Sequence, residues 1–343
     1  MAKISVLIPL YNRKQFAENC INSVLNQTFQ DFEIIIRDDC STDGVFELVQ
    51  EKFSKQISSG KIKIFRNEKN LGEAKTCNKL FKDATGKYIT ILHNDDFYLP
   101  HALKHLHAVA ENFSADVVHG SYYFNLPENA GEGGDDFIPI CNENNSTEKI
   151  QLVSDNLAER FFEWINYGTF HDVQYNLYSR EFILQNEIFF DEIECESLFF
   201  MLQWIMTAKV FVKTPIIFYV KRDAEDSQTF DENFFPTKFE KSIAAKIEMS
   251  HLVDKLFEKI KFFQNNPTAQ YMAKAHIFFF RDNFDIKRRK IYQHGITKEI
   301  FESTEKVFKR YFGEDYFYPM FLFHWAHCLP FNQYPDIIKK SNL

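Results

Sequence analysis

The stretch GKYITILHNDD, residues 86–96, decides the fold. Gly86 stops the helical pattern before it. Tyr88–Leu92 is a short run fit for a strand buried on both faces, and His93-Asn94-Asp95-Asp96 comes directly after it. Such a strand belongs to a parallel sheet with helices on both faces. The same unit recurs upstream. Ile4–Pro9, Phe32–Ile36 and Lys61–Phe65 read as strands. Lys14–Asn26, Val45–Ile57, Glu73–Ala84 and Leu103–Phe113 have the apolar spacing of helices. Strand–helix alternation of this kind gives an α/β fold. Ligands of such sheets bind beyond the carboxyl ends of the strands. Three of those ends carry polar residues: Tyr11-Asn12 after the first strand, Asp38-Asp39 after the second, and His93–Asp96 after the fourth.

Beyond residue 126 the pattern loosens. Residues 127–149 are polar and rich in Gly and Asn, and read as a long loop. A helix is expected at about 150–163, a strand near Val173–Tyr178, a helix at about 195–208 and a strand pair across Val210–Val220. Past 235 the pattern is helical. Leu252, Val253, Leu256, Phe257, Ile260 and Phe263 form one apolar stripe. Ile300, Phe301, Thr304, Val307, Phe308 and Tyr311 form another, closed by Gly313. Between them lies the basic run Lys287-Arg288-Arg289-Lys290. Tyr316–Phe331 is strongly aromatic and too short to span a bilayer, so it reads either as a core helix or as an interfacial segment. The expected organisation is an α/β domain over 1–230, in two parts at 1–125 and 126–230, and a helical region over 231–343.

The chain has 343 residues, 45% hydrophobic and 26% charged, with 39 Phe. That balance excludes a disordered chain, a collagen and a low-complexity scaffold. The net charge of −8 argues against a general nucleic-acid binder. The charge is uneven: residues from Glu232 onward carry +5 and the first 231 carry −13. A basic, aromatic tail on an acidic body fits contact with an anionic surface such as a membrane face, or simply a solvated helical face. The six cysteines form no Cys-x-x-Cys pair and Met1 opens no signal peptide, so they read as free thiols in a reducing cytoplasm.

Four segments taken in order, SVLIPLYNR (5–13), QTFQDFEIIIRDDCSTD (27–43), NLGEAKTCN (70–78) and GKYITILHNDD (86–96), closely resemble the family 2 glycosyltransferases. The resemblance covers roughly 3–125 well and 170–230 more loosely, and implies a catalytic domain over 1–230 in which 1–125 bind the nucleotide-sugar and 126–230 form the acceptor side and carry the base. It implies the GT-A fold, a Rossmann-like sheet with helices on both faces, here with a C-terminal helical extension. It also implies an inverting transferase that uses a UDP-sugar donor and Mn2+ or Mg2+. Pro9 and Tyr11 would wall the base, and Asp39 would accept the uracil imide proton. For Asp38–Asp43 an ordinary turn with a helix cap is the alternative. Asn12 would contact the donor. Gly72 would allow close backbone approach, and Asn70 and Asn78 would contact the donor or tie the loop. The family's Asp-x-Asp-Asp is His-Asn-Asp-Asp here, which leaves Asp95 and Asp96 as metal ligands beside the diphosphate.

The general base is expected on an acidic segment opening a helix that ends in aromatics. Residues 190–200 (FDEIECESLFF) look similar, and counting back from Phe199-Phe200 selects Glu196, with Asp191, Glu192 and Glu194 as rivals. A helix N-terminus that favours carboxylates is the structural alternative. His171 could face the acceptor or be structural. Arg222 or Lys221 could stabilise the leaving nucleotide. The resemblance further implies a bacterial cytoplasmic enzyme, at the inner membrane face, acting on a glycan or lipid-linked acceptor in capsule or lipooligosaccharide synthesis. The helical tail would dimerise, shape the acceptor site or touch the membrane. Two other readings compete. A sugar-phosphate nucleotidylyltransferase would want a Gly-rich basic loop where Pro9–Asn12 stands. A catalytically impaired nucleotide-sugar binder would explain His93 and the missing Glu-Asp doublet.

Overall fold

The computed structural model describes residues 2–120, 124–127, 149–167, 173–191, 196–223 and 251–288, with 302, 305–306, 309–310 and 312–314. The chain divides into two units, Met1–Glu192 with Phe200–Ala224, and Ile193–Phe199 with Glu225–Leu343.

The first unit is built on an eight-stranded sheet. Its strands are β1 (Ile4–Leu10), β2 (Phe32–Asp38), β3 (Ile62–Arg66), β4 (Tyr88–Ile91), β6 (Val117–Gly120), β8 (Gln151–Leu152), β9 (Asn176–Ser179) and β10 (Phe211–Thr214), in the order β3-β2-β1-β4-β9-β6-β10-β8. β1 lies parallel between β2 and β4, in the registers Ile4↔Phe32 and Ile4↔Tyr88. Helices α1 (Lys14–Leu25), α4 (Glu73–Asp83) and α5 (Ala102–Phe113) cross between these strands. Ile4, Val6, Ile8, Ile34 and Ile36 are almost fully buried. Each contributes about 1.5–3 kcal/mol relative to exposure, which holds β1 and β2 in the interior. Gly86 is required by space: a Cβ there would sit 2.7 Å from the Ser5 backbone nitrogen.

The sheet departs from the all-parallel expectation. β9 runs antiparallel to both β4 and β6, and β8 is antiparallel to β10 at the edge. The strand pair expected across 210–220 splits between sheets. β10 joins the large sheet, while β11 (Tyr219–Asp223) is central in a three-stranded sheet between β5 (Phe97–Tyr98) and β7 (Phe124–Pro127). Pro215, which cannot donate to a ladder, lies between the two strands. The helix expected over Val45–Ile57 breaks into α2 (Val45–Lys52) and α3 (Ser54–Ser58) at Phe53, whose ring is buried in the core. The helix expected from 150 begins later. Asn156 Oδ1 accepts from the Ala158 N–H at 3.0 Å and starts α6 (Leu157–Tyr167) after the edge strand. Two further helices, α7 (Arg180–Gln185) and α8 (Glu196–Thr207), come after β9.

The second unit is helical where it is described. Residues 251–259 (α9), Lys261–Gln264 (α10) and Pro267–Arg288 (α11) form successive helices. Val253, Leu256, Phe257, Ile260 and Phe263 are buried as the stripe predicts, but the helix breaks at Ile260, which is extended. Phe312 is buried against Tyr271, and Gly313 has φ 84° at the end of the second stripe. The segment Tyr316–Phe331 and most of the second stripe lie outside the described residues. No helix among the described residues is long and apolar enough to cross a membrane.

Candidate active site

The carboxyl ends of β1, β2 and β4 lie side by side, so the polar residues after them share one edge of the sheet. Neighbouring strands are about 4.8 Å apart, so the ends of β2 and β4, which lead into Asp39 and the Asp95/Asp96 turn, lie on either flank of β1 about 10 Å from each other. Asn12 staples the three ends together. Its N–H donates to Ser41 Oγ at 2.8 Å, its Oδ1 accepts from the Thr42 N–H at 3.0 Å, and its carbonyl accepts from Asn94 Nδ2 at 2.9 Å. Asn12, Arg13 and Cys40 all have left-handed backbone, with φ of 55°, 63° and 62°. Such positions are costly for ordinary residues and cluster where the surrounding contacts impose them.

Asp39 is buried and faces the loop before α4. Its Oδ1 accepts from Asn67 Nδ2 at 2.9 Å and the Leu71 N–H at 2.8 Å, and its Oδ2 accepts from the Gly72 N–H at 2.8 Å. A carboxylate offers about four acceptor directions, so one remains on Oδ2 for a ligand N–H. The turn-and-cap alternative describes its neighbours instead. Asp38 accepts from the Ser41 N–H and pairs with Arg66 at 3.0 Å, and Asp43 caps Val45 and Lys14. Tyr11, 41% exposed, and the partly buried Pro9 stand at the end of β1. Asn70 Oδ1 accepts from the Gly72 N–H at 3.1 Å, which makes it a local turn residue.

On the other flank His93, Asp95 and Asp96 each present a ligand atom within 4.8 Å of the others. The three groups are not equivalent. Asp96 is buried, with Oδ2 accepting from the Tyr219 hydroxyl at 2.5 Å and Oδ1 from the Arg222 N–H at 2.8 Å. Burial and the adjacent Asp95 push its carboxyl up to about 6. His93 Nε2 meets Glu73 Oε1 at 2.9 Å, and the Gln174 side-chain amide lies 3.1 Å from Nδ1. Burial alone would lower the imidazole, but Glu73 and the two aspartates outweigh it and raise it to about 9. His93 Nε2 is thus directed at Glu73. The Asp95 carboxylate accepts no hydrogen bond among the described residues. Its donor set, a partly exposed carboxylate beside a second one, suits a hard divalent cation that keeps most of its ligands as water and phosphate oxygen.

Residues 5–173 match the family described as glycosyl transferase family 2. The chain belongs to that family. Over 305 residues it is 26% identical to glycosyltransferase GlyG of Streptococcus pneumoniae serotype 4, covering 83% of this chain and 97% of GlyG. It is 38% identical over 95 residues to the putative teichuronic acid biosynthesis glycosyltransferase TuaG of Bacillus subtilis, covering 27% of this chain and 36% of TuaG. Among solved structures, S. aureus TarS 1–349 in complex with UDP-GlcNAc superposes with a TM-score of 0.63 at 16% identity, over 99% of this chain and 89% of that one. The fold of this glycosyltransferase is thus the GT-A arrangement.

The structure of this glycosyltransferase sorts the residues expected from sequence. Pro9, Tyr11, Asn12, Asp39, Asn70, Gly72, Asp95 and Asp96 gather at one sheet edge. Asn78 has an architectural role: its Nδ2 donates to the Phe190 carbonyl at 2.7 Å and its Oδ1 accepts from the Phe190 N–H at 2.9 Å, which joins α4 to the segment before α8. Arg222 is buried behind the aspartates, with Nε donating to the Asp95 carbonyl at 3.2 Å and the guanidinium 4.6 Å over the Phe16 ring. These contacts support the turn that carries the two aspartates. Glu196 is the first residue of α8, and its side chain, with His171, Glu192 and Glu194, lies outside the described residues.

Sequence reasoning passed over Asn67, Glu73 and Gln174. Asn67 stands just after the third strand and is the hub of the Asp39 side. Besides Asp39 it donates to Thr76 Oγ1 at 3.0 Å and accepts from Lys79 Nζ at 3.1 Å. The strand-end rule that selects Tyr11, Asp39 and Asp95 selects it too.

Proposed function

We propose that this family 2 glycosyltransferase is an inverting enzyme that moves a sugar from a UDP-sugar to a glycan or lipid-linked acceptor in bacterial surface polysaccharide synthesis. The observation that carries the reading is the shared edge: Asp39 has one unused acceptor direction and Asp95 an unbonded carboxylate, and the turns that carry them are tied to the end of β1 through the bonds of Asn12 to Ser41, Thr42 and Asn94. A nucleoside diphosphate-sugar needs an acceptor for its base and a neutraliser for its phosphates, and Asp39 and Asp95 would supply one each. Pro9 and Tyr11 would line the base, Asp39 would accept the imide N–H, and the backbone at Gly72 would lie along the nucleotide.

Asp95 would hold Mn2+ or Mg2+ directly, with Asp96 behind it. When bound, the cation would offset the charge that builds on the diphosphate as the glycosidic bond breaks. Glu196, at the start of α8, would take the proton from the acceptor hydroxyl as its oxygen attacks the anomeric carbon and UDP departs. The names of the relatives TuaG and the S. aureus poly(ribitol-phosphate) beta-N-acetylglucosaminyltransferase TarS support a cell-surface acceptor, the latter matching at 31% over 121 residues. We extend this to a cytoplasmic enzyme at the inner membrane face, with the aromatic segment 316–331 as the membrane or dimer contact.

The test is UDP release from a panel of UDP-sugars, with Mn2+ and with EDTA. Wild-type protein is expected to release UDP from one donor only when metal is present. Asp95→Ala should lose that activity, and Glu196→Gln should lower it by about 10²–10⁴-fold while UDP still binds. Equal release in EDTA, or full activity in Asp95→Ala, overturns the metal reading.

A further inference from the structure

We propose that Tyr219 is a positioning residue for the cation site, acting through Asp96 to aim Asp95. The proposal rests on Asp95 being the direct ligand. The turn that carries both aspartates is short: the Leu92 N–H donates to the Leu7 carbonyl at 2.9 Å, and the Asp96 N–H donates back to the His93 carbonyl at 3.1 Å. After it comes β5, only two residues long, which cannot hold the turn by its own pairing. β11 supplies the hold. It pairs with β5 in the register Tyr219↔Tyr98 and Val220↔Phe97, so it runs directly beneath the aspartates.

Three contacts then converge from one strand. The Tyr219 hydroxyl donates to Asp96 Oδ2 at 2.5 Å, the Arg222 N–H donates to Asp96 Oδ1 at 2.8 Å, and Arg222 Nε donates to the Asp95 carbonyl at 3.2 Å. Tyr219 has no freedom to swing away. It is fully buried, with its ring set edge-on to Tyr98 at 5.6 Å and to Tyr175 at 4.9 Å. Each oxygen of Asp96 thereby accepts one bond from β11, while the Asp95 carboxylate accepts none among the described residues. An Asp pair with nothing beneath it would have two interchangeable ligands. This one has a fixed member and a presented member. The same strand pairs with β7, so the three-stranded sheet and the cation turn are one hydrogen-bonded piece.

The experiment is equilibrium binding of Mn2+ in the presence of UDP, read by electron paramagnetic resonance of free Mn2+, with UDP affinity in EDTA measured beside it. Tyr219→Phe removes one hydroxyl and leaves Asp96 Oδ2 without its donor. A charge-assisted hydrogen bond lost at a buried carboxylate corresponds to a weakening of about tenfold or more. The expected result is Mn2+ affinity lower by about tenfold with UDP affinity in EDTA unchanged. Val220→Ala, on the same strand but apolar, is the control for general loosening and is expected to leave Mn2+ affinity intact. Unchanged or tighter Mn2+ binding in Tyr219→Phe overturns the proposal, and so does an equal loss in Val220→Ala. Failure of the wild-type protein to bind Mn2+ at all would overturn the reading of Asp95 as ligand, a different outcome.

Discussion

The backbone N–H of Gly72 donates to Asp39 Oδ2 at 2.8 Å, across 33 residues of sequence. Gly72 reaches that carboxylate because its backbone adopts φ 84° and ψ 163°, a region open almost only to glycine. A side chain there would meet nothing within 4 Å. The cost of Gly72→Ala is therefore conformational, about 1–3 kcal/mol. The protein can meet it by turning the peptide away from Asp39. The expected outcome is a fall in UDP affinity of about tenfold with a smaller loss of stability, read by calorimetry with UDP and by thermal unfolding. An unchanged UDP affinity would detach the loop from the nucleotide.

His93 stands where the family has an aspartate, and its partner is Glu73 at 2.9 Å. Restoring the family residue alone should not restore the family site. His93→Asp would put a carboxylate against Glu73 while Asp95 and Asp96 are already near, and UDP release is expected to drop with a higher Mn2+ requirement. His93→Asp combined with Glu73→Gln removes the like charge and is expected to recover most of the activity. A non-additive double-mutant cycle over the four proteins is the measurement. If His93→Asp alone matches wild type, Glu73 is not what the histidine answers.

The strand-end rule makes much of this site legible, because it depends only on apolar runs and the polar residues that end them. It locates Tyr11, Asp39 and the Asp95/Asp96 turn from sequence alone, and the stripe over Val253–Phe263 gives the buried face of the helical region. Pairing between distant segments cannot be read in the same way. Tyr219 and Asp96 are 123 residues apart, and Asn78 and Phe190 are 112 apart. Nothing in periodicity links them. The antiparallel insertion of β9 between β4 and β6 is equally silent in the sequence, since a four-residue buried strand looks the same in either direction.

Asn78 tests the difference between a donor contact and an architectural one. Its amide satisfies both the N–H and the carbonyl of Phe190, whose ring stacks on Phe200 at 4.2 Å. Asn78→Ala leaves two backbone groups without partners, each costing about 1–3 kcal/mol if it stays dry. The expected result is a protein several degrees less stable with an unchanged KM for the donor at a temperature where it is folded. A raised donor KM with normal stability would return Asn78 to the binding site.

Glu33 gives the acid limit of the fold, at the end of the sheet opposite the site. Its Oε1 accepts from Ser5 Oγ at 2.6 Å and from the Thr85 N–H and Oγ1 at 2.8 and 2.7 Å, and its Oε2 pairs with Lys63 at 2.7 Å. Burial alone would raise this carboxyl, but the bonds from Lys63, Ser5 and Thr85 outweigh it and hold it at about 2, against an ordinary 4.5. A depressed carboxyl stabilises the folded protein above its unfolded value and stops doing so as it is protonated. Glu33 thus contributes about 3 kcal/mol above pH 4.5, and that contribution drains away as the pH falls from about 4.5 toward 2. Denaturant unfolding at pH 7, 4 and 3 should show the loss. In Glu33→Gln, which cannot titrate, the protein should start less stable at pH 7 and lose correspondingly less on acidification. Parallel pH slopes for the two proteins would place the acid sensitivity elsewhere.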